Sequence, residues 1–423
     1  MSDVLGIALP DRWAAVPLKR VTTLVNRGTA PTYVDDSGVR MVSQAANQAA
    51  GLDWDRCRFH DFNGDATRLK GHLQPGDILV NSTGTGTLGR VGYFVQSPDS
   101  RPCVADGHVT VVRAASDLYS RFAYYWLKSQ PFSEFVYAAL TVGATNQIEL
   151  NRERLRDAPV PVPSLEEQRR IADFLDAETS RIDRLVFLGM RSIKGLEERG
   201  GAIVDREVLQ SSSSTTKLFY GLSVLRDGTH QPPQRTASGV RFLTARNVST
   251  GVLRTTEFDS FVSEEDAASL EKSFEVIPGD ILLSVKGTVG ACAIVPVEFG
   301  RVVLDRNVAL LRVVDGASSL WLTYVLRSRF VQDQMRISIT AAAQPGLPLG
   351  VIRQLRVPDV QFSMQHSLAN RVAMVWEDLA NLRAAIERRN RLLSERRQAL
   401  ITAAVTGQFD VSTASGRNTT QGV

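Results

Sequence analysis

The sequence has few cysteines, few lysines and no long apolar run. Its three cysteines, Cys57, Cys103 and Cys292, are far apart and odd in number, which favours reduced thiols over a disulfide framework or a zinc site. No apolar run approaches the roughly 18–20 residues that span a bilayer. The first residues, MSDVLGIALPDRW, lack the basic and apolar segments of a secretion signal. We therefore expect a cytoplasmic protein without membrane association.

Lysine is scarce relative to arginine: the 423 residues include 42 arginines and 7 lysines, and the formal net charge is +4. Arginine suits bidentate contacts to guanine and phosphate, but a GC-rich genome gives the same bias through codon usage. The charge therefore permits nucleic-acid binding without requiring it.

Signatures of common catalytic sites are also absent. The chain has no Gly-Lys pair and hence no P-loop, no Asn-Pro-Pro-Tyr-like string that would hold a flipped base, and no Glu-x-Lys triplet of a nuclease core. The GxGxxG spacing at 84–89 lacks the strand–helix–strand setting of a dinucleotide site. Asp106 and His108 suggest either an acid–base pair or a hydrogen-bonded pair on a strand, and we favour the second. No histidine pair has metal-ligand spacing, so we expect neither a catalytic residue nor a metal site.

The chain is built from a duplicated unit. PGDIL occurs at 75–79 and at 278–282, and each copy runs into a Gly-rich turn. The alternating segments DGHVTVVR (106–113) and DRNVALLR (305–312) follow, and an aromatic helical stretch comes after each. RLRDAPVPVPSLEEQ, which starts at 154, then matches VIRQLRVPDVQFSMQ, which starts at 351. Because the landmarks keep one order, we predict two related β-rich domains.

Each half ends in a long helix with a seven-residue apolar repeat. Ser164 and Glu167 form a capping box at the start of the first helix. Each helix of about 40 residues would be roughly 60 Å long, and Gly189 and Gly200 predict a kink or a weak point in the first. We expect the two helices to pair as an antiparallel coiled coil, although each might instead pack on its own domain. The repeats are Leu175, Ile182, Leu196 and Ile203, and then Val372, Leu379, Ile386, Leu393 and Leu400.

The predicted fold class is α+β, with two β-rich mixed globular domains alternating with two long helices. The expected boundaries are a first domain at 1–160, a first helix at 161–209, a linker at 210–216, a second domain at 217–358, a second helix at 359–407 and a disordered tail at 408–423.

This layout resembles the specificity subunits of type I restriction–modification systems. PVPSLEEQRRIADFLD (161–176) looks like the start of the first conserved helix of that family, and RRQALITAAVTGQFDV (396–411) looks like its C-terminal ending. LRDGTHQPP (225–233) resembles the opening loop of a target recognition domain, with NRGTAPTY (26–33) as its diverged counterpart.

Two segments of the second half depart from the pattern of the family. The start of the second helix, FSMQHSLAN, lacks the Glu–Gln pair of the first. AAAQPGLPL (341–349) also departs from the TNQIEL string at 145–150 of the first half. These departures leave the details of DNA contact open.

The resemblance implies a non-catalytic, sequence-specific DNA-binding subunit. Each recognition domain would read one half of an interrupted, asymmetric site in double-stranded DNA. The coiled coil would set the spacer and dock two methyltransferase subunits, and motor–endonuclease subunits would join them. This chain would hold no cofactor, because S-adenosylmethionine, ATP and magnesium would be bound by the partner subunits.

Two sets of residues are candidates for DNA contact. Phosphate contacts need backbone amides and cations, which Gly-rich turns present, although such turns often only close hairpins. Base reading needs polar side chains that reach a groove. The phosphate candidates are Thr83, Thr85, Thr87, Arg90, Lys286 and Thr288. The base-reading candidates are Arg27, Tyr33, Asn146, Gln147, Arg226, His230, Gln231, Arg246 and Asn247.

Three other functions remain open at this point. The chain could serve a methylation-only system without a motor subunit, it could be an interaction scaffold that never reads bases, or it could be an enzyme such as a nuclease. Two diverged copies favour reading over scaffolding, since a scaffold gains little from two different copies.

Overall fold

The computed structural model of the chain describes residues 2–36, 38–84, 86–142, 148–229, 231, 233–249, 251–257, 259–340 and 346–411. None of the helices in these ranges is long and apolar enough to cross a membrane. The chain divides into two compact units. Unit 1 comprises Met1–Leu188 and Arg388–Val423, and unit 2 comprises Gly189–Glu387.

The strands and helices that the two halves share follow the same order, and each half has further short elements of its own. Those of the first half are β1 Asp3–Val4, β2 Ile7–Ala8, β3 Ala14–Pro17, β4 Thr22–Arg27, β5 Tyr33–Val34, β6 Val39–Val42, β7 Asn47–Gln48, β8 Gly51–Leu52, β9 Arg58–His60, β10 Ile78–Asn81, β11 Val91–Tyr93, β12 Cys103–Ala105, β13 Val109–Ala114, α1 Ser120–Leu127, α2 Gln130–Phe135, β14 Thr141–Val142, β15 Glu149–Leu150, α3 Arg152–Asp157, β16 Pro159–Val162 and α4 Leu165–Gln210.

Those of the second half are β17 Thr215–Lys217, β18 Leu222–Asp227, β19 Val240–Leu243, α5 Ala245–Val248, β20 Ser260–Val262, α6 Glu264–Glu271, β21 Ile281–Ser284, β22 Cys292–Ile294, β23 Val302–Leu304, β24 Val308–Val313, α7 Ser319–Arg327, α8 Arg329–Thr340, α9 Leu349–Gln354, β25 Arg356–Pro358 and α10 Phe362–Val405.

Two sheets form the globular part of unit 1. The order of the first is β11-β10-β13-β4, all antiparallel, and the order of the second is β12-β6-β9-β5. The side chains of β10 alternate between two cores because successive residues of a strand point to opposite faces. Ile78 and Val80 join the core that contains Phe122 and Trp126 of α1, whereas Leu79 packs with Cys103 of the second sheet. Burial on both faces explains why the strand is apolar without a break.

Unit 2 repeats this arrangement. Its sheet β18-β24-β21-β22 has the strand order of the first sheet of unit 1, and β23 lies parallel to β19 just as β12 lies parallel to β6. Ile281 and Leu283 face the core around Trp321, while Leu282 faces the opposite core. The predicted mixed fold with a duplicated β-rich domain is confirmed.

A buried ion pair stabilises each copy and explains two of the repeated sequence landmarks. The Asp77 carboxylate accepts hydrogen bonds from Nε and Nη2 of Arg113, both at 2.7 Å. Asp280 and Arg312 make the same pair at 2.7 and 2.8 Å. Both aspartate side chains are 1% exposed. The aspartate of PGDIL and the arginine that ends the DGHVTVVR and DRNVALLR segments are therefore partners.

The long helices pair antiparallel within each unit. In unit 1, Asp183 of α4 contacts Arg397 of α10 at 3.0 Å, and Asn390 of α10 donates to the carbonyl of Val186 of α4 at 3.4 Å. In unit 2, Arg383 of α10 donates to Glu197 of α4 at 2.6 Å, and Arg371 donates to Glu207 at 2.8 Å. In both units a residue further along α4 meets one earlier on α10, as an antiparallel pair requires.

Gly200 does not interrupt α4, which is continuous from Leu165 to Gln210. A Cβ atom at this position would lie 2.8 Å from the Trp376 ring. The glycine therefore admits the indole of the neighbouring helix, and the predicted weak point at Gly200 is wrong.

The C-terminal segment is ordered further than predicted. The Phe409 ring lies 5.6 Å from that of Phe174, centroid to centroid, and Val411 is buried in the core of unit 1. The predicted disordered tail is therefore wrong for 408–411, because these apolar side chains find a core to pack on. The remainder of that tail, 412–423, lies outside the described residues.

Candidate nucleic-acid interface

Several loops of unit 1 converge at one end of its two sheets. We call them loop cluster 1: 28–33, 43–48, 82–84, 86–90, 106–108 and 148–150. The Asp106 N–H donates to the carbonyl of Val42 at 3.0 Å, and the Ser82 N–H donates to the carbonyl of His108 at 2.8 Å. The Leu150 N–H in turn donates to the carbonyl of Ser82 at 2.8 Å. Segments far apart in sequence therefore form one surface.

Gly28 is required where the first loop crosses the loop at Asp106. Thr29 donates its N–H to the carbonyl of Ala105 at 3.0 Å, and a Cβ atom on Gly28 would overlap that carbonyl. In unit 2, Gly228 crosses beside Leu304 in the same way, and Thr229 bridges Asp305 as Thr29 bridges Asp106. The predicted correspondence between NRGTAPTY and LRDGTHQPP is confirmed by this shared crossing.

The side chains of Gln44, Thr83 and His108 form a chain of hydrogen bonds in loop cluster 1. The Thr83 hydroxyl donates to Oε1 of Gln44 at 3.0 Å and lies 2.9 Å from Nδ1 of His108. A hydroxyl has a single hydrogen, so Thr83 accepts from a protonated Nδ1 of His108. This leaves Nε2 of the exposed His108 ring as an acceptor for an incoming donor, such as an exocyclic amino group of adenine or cytosine.

Tyr33 lies against two charged groups in this cluster. The Arg58 guanidinium lies 3.9 Å from the centroid of the Tyr33 ring, and the hydroxyl is hydrogen-bonded to Asp106. Burial, followed by the charge of Asp106, raises the pKa of Tyr33 above its ordinary value. Burial also raises the pKa of Asp106. The Asp106 carboxylate accepts the N–H of His108 at 2.8 Å. The two residues are therefore hydrogen-bonded, as the favoured interpretation predicted, but they lie in the turn between β12 and β13 and not on a strand.

The predicted cations of unit 1 are held by the protein itself. Arg27 donates to Oε2 of Glu149 at 3.0 Å and to the carbonyl of Leu150 at 3.1 Å. Arg90 donates to the carbonyl of Asn47 at 3.2 Å and to Oε1 of Gln48 at 3.1 Å. Both guanidiniums position neighbouring loops.

Thr87 also has a structural contact. Its hydroxyl donates to the carbonyl of Thr83 at 3.2 Å. This bond closes the Gly-rich turn, as the alternative interpretation of such turns predicts.

Unit 2 has the equivalent surface, which we call loop cluster 2: 228–229, 231, 244–247, 285–290, 305–307 and 346–347. The Val285 N–H donates to the carbonyl of Asn307 at 2.9 Å, and the Leu347 N–H donates to the carbonyl of Val285 at 2.9 Å. These bonds repeat those of Ser82 and Leu150 in unit 1. The scaffold that presents the loops is thus the same in both units.

Most predicted residues of loop cluster 2 are exposed. Arg226 is the next-to-last residue of β18, beside the cluster. Arg246 lies on α5 within the cluster, and Lys286 and Thr288 lie on one of its loops. The backbone of Gln231 is fixed by Thr229, whose hydroxyl donates to the Gln231 carbonyl at 2.7 Å, while the Gln231 side chain is exposed.

Asn247 is the exception, because it is buried at 2% exposure. Its Oδ1 accepts the N–H of Thr244 at 2.9 Å, and its Nδ2 donates to Arg254 and Asp259, both at 2.9 Å. With its amide used inside the domain, Asn247 has no free group to read a base, and we withdraw it from the candidate set.

Four predicted contacts, Thr85, Asn146, Gln147 and His230, lie outside the described residues. Conversely, the sequence interpretation missed Gln44, His108 and Arg306 as candidates. The available signal was the repeated Asp-x-His/Asn turn, in which His108 and Asn307 share a position and Arg306 takes the place of Gly107. Within the described ranges, no group of three acidic, histidine or cysteine side chains is placed to hold a metal ion.

Comparison with known proteins links this fold to DNA specificity. Residues 66–184 match the family model described as the type I restriction modification DNA specificity domain. A putative type I restriction enzyme specificity subunit of Haemophilus influenzae is 26% identical over 123 residues, which are 29% of this chain and 30% of that protein. The aligned stretch thus spans less than a third of that relative.

Two solved structures share the fold over nearly the whole chain. One, from a study of complex assembly and conformational transition of a type I restriction–modification system, has a TM-score of 0.72 at 17% identity, covering 95% of this chain and 100% of that one. The HsdS subunit from Thermoanaerobacter tengcongensis has a TM-score of 0.52 at 18% identity, covering 95% and 98%. This chain therefore contains, at 66–184, a match to the type I restriction–modification DNA specificity domain, and it shares its fold along nearly its whole length with these two structures.

Proposed function

We propose that this chain is the DNA-reading subunit of a type I restriction–modification complex, and that each recognition domain reads one half of a bipartite, asymmetric site. Specificity subunits are the non-catalytic part of such complexes, so methyl transfer and cleavage belong to other subunits. The chain works in the cytoplasm, where those subunits meet DNA.

One observation carries the proposal: the two loop clusters share a scaffold but differ in side chains at matched positions. Thr83 of unit 1 corresponds to Lys286 of unit 2, and His108 corresponds to Asn307, because the same backbone hydrogen bonds fix both pairs of positions. Base edges are read by side chains, whereas a shared backbone fixes their register on the duplex. Different presented side chains on a shared backbone are what reading two different half-sites requires.

The paired helices serve as spacer and docking element in this proposal. Both helices carry exposed apolar side chains, Leu185 and Phe187 on α4 and Met374 and Leu382 on α10. Exposed apolar faces are typical of protein–protein contact, which supports docking of two methyltransferase subunits and, through them, motor–endonuclease subunits. S-adenosylmethionine would be bound by the former, and ATP and magnesium by the latter.

Single-molecule methylation mapping of genomic DNA tests the proposal. The genome is mapped with and without this gene while the methyltransferase subunits are expressed. We expect a two-part methyladenine motif that disappears when the gene is deleted. If no motif depends on the gene although the partners are active, the chain does not read sequence and serves as a scaffold.

A further inference from the structure

The two units differ in charge at four matched positions, three within the loop clusters and one just before them. Strand pairing fixes the first match, because Arg226 lies opposite Leu310 of β24 as Asn26 lies opposite Val111 of β13. The shared backbone hydrogen bonds of the loops fix the other three. Cations in unit 2 replace neutral residues in unit 1: Arg226 for Asn26, Arg246 for Ala45, Lys286 for Thr83 and Arg306 for Gly107.

All four cations of unit 2 are exposed, and none forms an ion pair with a carboxylate in the described ranges. The backbone places their loops side by side. The Asp305 N–H, next to Arg306, donates to the carbonyl of Leu243 at 2.8 Å, on the strand that leads to Arg246. The loop of Lys286 is tied to the loop of Arg306 by the bond between Val285 and Asn307. The loops of Arg246, Lys286 and Arg306 therefore lie side by side. Arg226 lies two residues before Gly228, which crosses the chain at Leu304 and Asp305.

The cations near loop cluster 1 are placed differently. Arg27 is paired with Glu149, Arg90 donates to Asn47 and Gln48, and Arg58 stacks on Tyr33. Neutral donors and acceptors, such as the chain of Gln44, Thr83 and His108, make up much of the remaining surface. Lys70 is an exposed cation beside Asn26 and Arg27.

We infer that the two recognition domains divide DNA binding between them: the second supplies most of the charge-based attraction to the phosphate backbone, and the first contacts DNA mainly through neutral hydrogen bonds. This inference rests on the proposed function, and it specifies which kind of contact binds each half of the DNA site. Charge contacts to phosphate release counterions from DNA, so they appear as a salt dependence of affinity with a slope of about −0.9 per phosphate neutralised.

The test compares two variants with the same change in charge. One is R226Q/R246Q/K286Q/R306Q, and the matched control in unit 1 is R27Q/R58Q/K70Q/R90Q. The full-length chain is purified with its methyltransferase subunits, and binding to a labelled mixed-sequence duplex of about 40 base pairs is measured by fluorescence anisotropy between about 50 and 200 mM salt. A mixed sequence suffices because the charge contribution is independent of sequence.

We expect the unit 2 variant to flatten the slope of log K against log salt by about 3 to 4, and the control to flatten it by less than about 1. The variant R226K/R246K/R306K should keep the wild-type slope, since it keeps the charge. Thermal unfolding followed by circular dichroism checks that each variant is folded.

Equal flattening by the two Gln variants, or a larger effect of the control, would overturn the division of labour. The proposed function is judged separately, by whether the wild-type complex prefers the mapped motif over mixed sequence. A complex that prefers the motif but loses slope equally in both variants refutes only this inference.

Discussion

Replacing Asp280 with alanine should destabilise the second recognition domain by about 3 kcal/mol. The carboxylate is 1% exposed and accepts two bonds from Arg312 and a third, at 2.9 Å, from the N–H of Ile277. Removing one partner of a buried ion pair costs about 3–5 kcal/mol. The Arg312 side chain keeps 29% of its surface exposed, so water recovers part of that loss. The unpaired N–H of Ile277 adds about 1 kcal/mol.

Calorimetry combined with hydrogen exchange measures this effect. For a unit of this size, about 3 kcal/mol corresponds to a fall of roughly 6–12 °C in unfolding temperature, with the loss of exchange protection centred on β21 and β24. Asp77→Ala should produce the matching loss on β10 and β13, because its pair with Arg113 has the same geometry.

A double-mutant cycle separates the pair from other effects of the substitution. The D280A/R312A variant should lose less stability than the sum of its two single variants. A loss below about 1 kcal/mol for D280A would show that water satisfies Arg312, and the duplicated pair would then not be what holds β21 to β24.

Three further predictions concern the crossing glycines, two glutamines and two thiols. Gly28→Ala and Gly228→Ala should each abolish sequence preference in one half of the site, since a Cβ overlaps the opposite carbonyl; an unchanged methylation motif would contradict this. Gln168→Ala and Gln365→Ala should each lower the free energy of unfolding, measured by chemical denaturation, by about 2 kcal/mol. The reason is that Oε1 of Gln168 accepts the N–H of Tyr119 at 2.7 Å, and Oε1 of Gln365 accepts the N–H of Ser318 at 3.0 Å. Stability equal to that of the wild type would show that these bonds do not matter. Burial raises the pKa of Cys57 to about 11 and that of Cys103 to about 12, so iodoacetamide at neutral pH should label neither thiol in the folded chain. The thiols of the unfolded chain lose their protons first, near pH 9, so the free energy of unfolding should fall as pH rises above about 9. A free energy of unfolding that stays constant at alkaline pH would refute this prediction.

The duplicated scaffold was predictable because its determinants are local in sequence. Each PGDIL copy combines a turn, a buried acid and a strand buried on both faces, and the arginine that pairs with the acid ends the next landmark. Gln365 shows how one residue preserves a role after its neighbours diverge. It occupies the position of Gln168. Its Oε1 accepts the N–H of the residue just before α7, as Oε1 of Gln168 accepts the N–H of the residue just before α1. The bond is kept although the second long helix lacks the Glu–Gln pair.

The DNA-facing residues were harder to predict because the surface is assembled from distant segments. Asn247 has the amide side chain of a base-reading residue, yet this side chain caps the short helix α5 and donates to Asp259. The sequence pattern assigned His108 to a strand. In the structure its ring is held by a contact with Thr83, 25 residues earlier. Such roles are set by tertiary contacts, which no local pattern encodes.

An exchange of one recognition domain tests the central claim most directly. Residues 1–160 are replaced by the first recognition domain of another specificity subunit, and methylated adenines are mapped by single-molecule sequencing. If each domain reads one half-site, one half of the motif should change while the other half and the spacer stay the same. A motif that is unchanged, or altered in both halves, would contradict independent reading by the two domains.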